Sequence, residues 1–321
     1  MEDGVSILIC CYNSSWIIDR ALKNILHQNT RNVNWELIVV NNNSTDDTGN
    51  IVHQILDSSN ISCRVINVSK QGLLYARIEG GKAAKYKYTL WCDDDNLLDE
   101  DYVYNMYNEM EKHPEWGACG GLGSPEFTIK PAPIVERNLL FYAIGPQDNN
   151  AKNYFLFGSG ACLRTELFKD IVGRHQFHLI GRCGNRLLSG DDSEVMNMIC
   201  LRGYSLGYNE KCTFVHVLAS HRLSEKYFFS LMEGLGMSNP ILSVYSLILN
   251  DRSFVYFYKE LLSTLKFLFL SLFQKGNDVK TIQIKQKIGF MKGLRFFGIR
   301  MIYKIYKQTK EEAQVRHTLY K

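Results

Sequence analysis

The sequence predicts an α/β protein: a mixed, mostly parallel sheet flanked by helices, with an α-helical C-terminal extension. Three observations predict it. Short β-branched runs alternate with helix-like segments through the first half, which is the pattern of βαβ units. Three of those runs end in a polar cluster. From about residue 225 the texture changes to long helical segments, with Phe, Tyr and Leu on one side and Lys and Arg on the other.

Residues 5–11 (VSILICC) form the first strand, which stops at Tyr12, Asn13, Ser14 and Ser15. Either serine can cap a helix running through about residue 28. Residues 35–40 (WELIVV) form the second strand. It ends in the polar turn 41–47, where Thr45 or Asp46 can cap the next helix. Residues 63–68 (CRVINV) are a third strand. Residues 72–84 are rich in small side chains and predict a helix lying close on the sheet. Residues 88–92 (YTLWC) are a fourth strand, running straight into Asp93, Asp94 and Asp95.

Residues 114–150 carry more Pro and Gly and less periodicity, so they predict a connecting region of loops. An apolar run with glycines, 155–163, precedes a helix over 164–172. SGDDSE at 189–194 opens a helix over 195–201 that stops at Gly203. These boundaries divide the chain into an α/β unit, 1–235, and a helical, basic and aromatic region, 236–321. The α/β unit has a first half of about 1–115 and a second half of about 116–235.

Composition removes several function classes. Of 321 residues, 45% are hydrophobic and 22% charged, enough for a sizeable core and too apolar for disorder. A net charge of +4 argues against a dedicated nucleic-acid binder. The nine cysteines are scattered without a CxxC pair. They read as small buried hydrophobes in a reducing compartment, and no His/Cys cluster has zinc-ligand spacing. The N-terminal run shows no signal-peptide pattern, and no uncharged stretch reaches membrane-spanning length. No GxGxxG follows a strand, residues 117–123 having the wrong spacing. There is no P-loop and no GxSxG elbow.

In a parallel sheet, ligands bind beyond the carboxyl ends of the strands. The Tyr12–Asn13 pair, the 41–47 turn and the Asp93–Asp95 cluster all fall on that edge. Three adjacent carboxylates repel one another, and Mg²⁺ or Mn²⁺ is the natural counter-charge; a solvated Asp-rich turn is the plainer alternative. The second acidic cluster, at 189–194, supplies either a general base or helix-capping charge. His216 is a candidate metal or phosphate ligand, or a core histidine. Lys70, Arg77 and Arg222 are candidate phosphate partners, or surface charge. Tyr12 can stack on a base, or simply pack at a strand end.

Five of these segments together resemble glycosyltransferase family 2, over roughly residues 4–235. VSILICCYN resembles the family's opening strand, with Cys10 where proline is usual. LIVVNNNSTDDT (37–48) resembles its VDDGSTD turn. QGLLYARIEGG (71–81) resembles its GxxxARNxG helix. Asp93 to Asp95 match the DxD motif, and GDDSE (190–194) resembles GEDxE. The resemblance implies a Rossmann-like GT-A fold and inverting transfer from a nucleotide-diphosphate sugar, with Mn²⁺ or Mg²⁺ as cofactor. It implies that Tyr12, Asn41 and Asn42 hold the base, with Cys10 and Asn13 beside them. Arg77 serves the base or phosphates, Asp93 the ribose, with Asp94 adjacent, and Asp95 the metal. His216 is a further diphosphate or metal contact. Asp192 is the general base, or Asp191 or Glu194 under a shifted register. Asn41 and Asn42 stand where aspartates are usual, which bears on uridine recognition.

The implied partners are a nucleotide-diphosphate sugar, a UDP-sugar first, and a saccharide or lipid-linked acceptor in surface polysaccharide synthesis. Two competing readings are a sugar nucleotidyltransferase and an inactive GT-A binding protein. The first lacks its Gly/Lys-rich loop after strand one; Asp95 and Asp192 argue against the second. Residues 254–258 and 261–273 are apolar helical stretches broken by Lys259, Glu260 and Lys266, and a basic excess from Lys275 to Lys307 follows. They predict peripheral attachment to an anionic inner membrane face from the cytoplasmic side, or helices packed on the catalytic unit or in a homodimer.

Overall fold

The computed structural model describes residues 1–59, 61–147, 154–183, 187–273 and 276–319, the last helix by backbone alone from 314. The chain begins β1 (Glu2–Cys11), α1 (Ile18–Leu26), β2 (Trp35–Asn41), α2 (Thr48–Leu56), β3 (Cys63–Asn67), α3 (Leu73–Ala83) and β4 (Tyr86–Asp93). It continues through β5 (Asn96–Leu98), α4 (Tyr102–Lys112), β6 (Trp116–Phe127), α5 (Pro133–Glu136), β7 (Cys162–Arg164), α6 (Thr165–Arg174), α7 (Asp191–Leu201) and β8 (Ser205–Leu218). Four longer helices close it: α8 (Glu225–Leu249), α9 (Val255–Ser271), α10 (Asp278–Phe297) and α11 (Ile299–Leu319).

One eight-stranded sheet has the order β3-β2-β1-β4-β7-β6-β8-β5. Its first four strands are parallel, so β1, β2 and β4 end together; Cys10 lies opposite Asp93 and Cys11 opposite Asn41. β7 runs antiparallel between β4 and β6, and β6 and β8 are parallel. Alternation along β1 feeds both faces. Val5, Ile7 and Ile9 enter one core cluster, while Leu8 and Cys10 enter the other.

The second cluster also takes Tyr245, Phe257, Phe290, Ile302 and Tyr306 from α8 to α11. The C-terminal helices therefore share a core with the sheet, and α8 runs unbroken through residue 235.

Two local expectations are corrected. Neither Ser14 nor Ser15 caps α1, whose start at Ile18 follows Ile17 without a side-chain cap. Instead the backbone N–H groups of Ser14 and Ser15 donate to Thr48 Oγ1 and Asp46, which ties the β1 turn to the β2 turn. Asp46 Oδ1 also accepts from Thr48 N, but neither it nor Thr45 caps α2, whose start follows Asp47 without a side-chain cap. The second correction is larger. The supposed loop region holds β6, a twelve-residue strand. Its glycines are there for close approach: a Cβ at Gly117, Gly121 or Gly123 would meet Ile199, the Tyr102 hydroxyl or the Ala143 carbonyl.

Candidate active site

A cavity of about 1010 Å³ opens at the carboxyl ends of β1 and β4. Cys10, Tyr12, Asn42, Arg77, Asp93, Asp94 and Asp95 line it from the first half, and Asp191, Asp192, His216 and Arg222 from the second.

Asp93 is the last residue of β4, and Asp94 and Asp95 form the turn into β5. β5 pairs antiparallel with β8, with Asn96 opposite His216, and Val217 N donates to the Asp95 carbonyl at 2.9 Å. This pairing is why His216, far away in sequence, stands beside Asp95. Its Nε2 lies 3.3 Å from Asp95 Oδ2, and Arg222 Nη1, from the turn after β8, lies 2.8 Å from the same oxygen. Burial alone would raise the Asp95 carboxyl. His216 and Arg222 outweigh it and hold the group well below the usual carboxylate range.

Arg77 on α3 is 3% exposed and lies over Trp91. Its Nη1 is 2.8 Å from Asp191 Oδ2 and its Nη2 is 3.4 Å from Asp93 Oδ1. One buried guanidinium thus ties the two acidic clusters together. Burial pushes the Asp191 carboxyl up to about 6 against the pull of Arg77. Burial, then Asp95, pushes Asp94 up to about 8.

Asp192 turns toward the cavity from the first turn of α7. Its Oδ2 accepts from Gly158 N at 2.9 Å and its Oδ1 from Ser193 N at 2.7 Å. Glu194 points the other way. It is wholly buried and accepts from Leu179 N, His178 N, the His175 and His178 rings and the Tyr245 hydroxyl. These donors outweigh burial and hold its carboxyl down to about 2.

The other sequence candidates serve the turns at the strand ends. Asn13 Oδ1 accepts from Thr45 N, and Asn41 Oδ1 from Ser44 N. Asn42 is 4% exposed; its amide donates to the Val68 and Lys70 carbonyls while Oδ1 accepts from Gly72 N. The side chain that replaces the usual aspartate is thus spent on holding the strand ends together. Lys70 lies over the Tyr75 ring. Asn13, Asn41 and Lys70 do not line the cavity.

Sequence reasoning missed several neighbours. Ser159 donates to Asp93 Oδ2, the Tyr142 hydroxyl donates to the Arg222 carbonyl at 2.9 Å, and Arg182 lines the cavity. It also passed over His175 and His178, which cluster with Glu194. A serine after a glycine, or one arginine in a loop, carries no motif signal; long-range packing alone brings these residues in.

The residues around Asp95 fit a hard divalent cation. Asp93 and Asp95 offer carboxylate oxygens and His216 an imidazole nitrogen. Among the described residues, two buried polar atoms on side chains that line this corner lack a partner, His216 Nδ1 and Arg222 Nε. Among the described residues, Asp93, Asp95 and His216 do not bring their ligand atoms within 4.8 Å of one another. That suits an ion held by few protein groups plus substrate phosphates.

A sheet of this topology with an acidic cavity at its strand ends is a GT-A arrangement, and comparison with solved structures agrees. The mannosyltransferase PcManGT from Pyrobaculum calidifontis, in complex with GDP-Man and Mn²⁺, superposes with a TM-score of 0.56 at 14% identity, covering 98% of this chain and 76% of that one. S. aureus TarS 1–349 in complex with UDP-GlcNAc gives 0.53 at 14% identity, covering 97% and 91%. The glycosyl transferase family 2 model matches residues 6–172, and the chain belongs to that family. A curated relative, the poly-beta-1,6-N-acetyl-D-glucosamine synthase of Staphylococcus epidermidis, is 29% identical over 141 residues, 44% of this chain. The match covers 33% of that protein, about a third of its length.

Proposed function

We propose that the protein is an inverting glycosyltransferase that moves a sugar from a nucleotide-diphosphate donor to a saccharide or lipid-linked saccharide acceptor in surface polysaccharide synthesis. The observation that carries this is the shared cavity: the Asp93–Asp95 cluster and Asp192 open onto one space, with Arg77 spanning the acids behind them. Family membership and the likeness to a polysaccharide synthase support it, and make UDP-N-acetylglucosamine the first donor to test.

Asp192 takes the proton of the acceptor hydroxyl. The hydroxyl oxygen forms its bond to the anomeric carbon while the bond to the diphosphate oxygen breaks, and the nucleoside diphosphate leaves with that electron pair. Attack from the side opposite the leaving group inverts the anomeric centre. Asp95, with His216, would hold Mn²⁺ or Mg²⁺, and Asp93 the ribose; when bound, the ion offsets the charge of the departing diphosphate. Arg77 fixes the spacing of the two clusters, and the Gly158 and Ser193 N–H groups aim the Asp192 carboxylate.

Donor turnover with Mn²⁺ tests this in the native protein, Asp95→Ala and Asp192→Ala. Turnover falls in both variants, by ~10²–10⁴-fold for the base, and donor affinity falls mainly in Asp95→Ala. Equal turnover in all three proteins overturns the assignment.

A further inference from the structure

Helix α9 has a buried side and a bare one. Phe257 and Thr264 are buried, and Phe254 at its start stacks among Phe257, Tyr303 and Tyr306. The opposite side carries Val255, Tyr258, Leu262, Leu265, Phe269 and Leu272, all exposed, Leu262 at 66% and Leu272 at 77%. Their spacing of three and four residues puts them on one stripe of the helix. Phe273, 73% exposed, extends it.

Cations border this stripe. Lys259 and Lys266 are exposed along its edge. At its N-terminal end Arg252 and Lys259 lie over Tyr256, and Lys307 over Tyr303. Exposed tyrosines with cations beside them, continuous with a deeper Leu and Phe stripe, are the makings of a helix lying in a lipid interface. At 1.5 Å per residue, the 17-residue helix is about 26 Å long. Among the described residues no helix is long and apolar enough to cross a membrane.

Charge decides between occupants. A second copy docked through α9 would set lysine against lysine. The helix's one acid, Glu260, is half-buried and accepts from Ser243 Oγ. An anionic lipid surface matches the same lysines.

We infer that the bare face of α9 is a docking surface for anionic membrane lipid, and that it holds the protein flat on the bilayer. The inference does not depend on the proposed chemistry, since none of these residues lines the cavity.

The test is co-sedimentation of the full chain with vesicles of phosphatidylcholine alone and of phosphatidylcholine with phosphatidylglycerol. The native protein pellets with the anionic vesicles. Leu262→Glu/Phe269→Glu abolishes pelleting, and each lysine removed by Lys259→Gln or Lys266→Gln weakens it by about fivefold at low salt. Both glutamates sit at exposed positions, and an unchanged melting temperature shows that folding is intact. Light scattering of the same samples without lipid reads out the rival occupant. A native dimer that Leu262→Glu/Phe269→Glu splits makes the face a self-interface and overturns the inference. So does a native protein that ignores anionic vesicles, or a glutamate pair that pellets as well as native.

Discussion

Arg77 is the side chain on which the site's geometry hangs. Buried charge is tolerated when it is paired, and removing one partner strands the others. Arg77→Ala leaves Asp191 and Asp93 without their counter-charge, so urea unfolding loses about 3–5 kcal/mol. Adding Asp191→Asn recovers part of that loss, because one stranded carboxylate is gone. An equal loss in the single and double variants would mean that Arg77 acts by packing on Trp91 instead. Glu194 makes a second case, read through pH. Its carboxyl is held down to about 2 by burial-defying donors, while the Glu194 and Glu312 carboxylates hold His175 above its ordinary value despite burial. The depressed acid contributes stability above the unfolded carboxyl range, and loses it as pH falls toward 2. The raised histidine contributes stability below about 6.5, and loses it as pH rises through its folded value. The pair thus favours mildly acidic to neutral pH, and Glu194→Gln flattens a plot of melting temperature against pH on both sides. An unaltered plot would place the pH dependence elsewhere.

Elements obey the same closeness rule at larger size. α8 crosses α10 with glycines in the contact: a Cβ at Gly236 would meet the Gln286 carbonyl, one at Gly289 the Glu233 carbonyl, and one at Gly293 the Met237 carbonyl. Backbone cannot step aside as a side chain can, so Gly289→Val overpacks the crossing and costs about 1–3 kcal/mol or more in thermal or urea unfolding. Gly173→Ala, with open space around it, is the neutral control. These glycines also show where sequence reading stops. β1, β2 and β4 were legible because β-branched runs ending in polar turns have few other meanings, and the acidic motifs sat on their ends. β6 was not, because a strand containing Gly117, Gly120, Gly121 and Gly123 has the composition of a loop until Tyr102, Ile199 and Ala143 are in place against it. The Asp95 corner was half legible for a related reason. DDD announces itself, while the pairing of β5 with β8 that delivers His216, and the turn that delivers Arg222, are products of register.

For the whole molecule, the cavity is a seam. Its walls come from β1, α3 and β4 on one side and from α7, β8 and the turn after it on the other, so a ligand that fills it links segments drawn from both halves of the chain. Whatever binds the folded state alone raises stability by RT ln(1 + [L]/Kd), about 2.7 kcal/mol at a hundredfold excess over Kd. In a chain of this size that is roughly 4 °C in Tm. The Asp95 carboxylate starts out paired with Arg222 and His216, and a cation alone must compete with that guanidinium for it. A nucleoside diphosphate brings phosphate oxygens that can take over Arg222 as the ion takes Asp95, so the two ligands help each other bind. The thermal shift with UDP and Mn²⁺ together therefore exceeds the sum of the shifts with either alone, and EDTA returns it to the UDP-only value. In Arg222→Ala the competitor is absent, so the shift with Mn²⁺ alone grows while the excess from combining the ligands shrinks. Additive shifts in the native protein would show that the Asp95–Arg222 pair stays closed when nucleotide binds, and that the ion, if it binds, does so elsewhere.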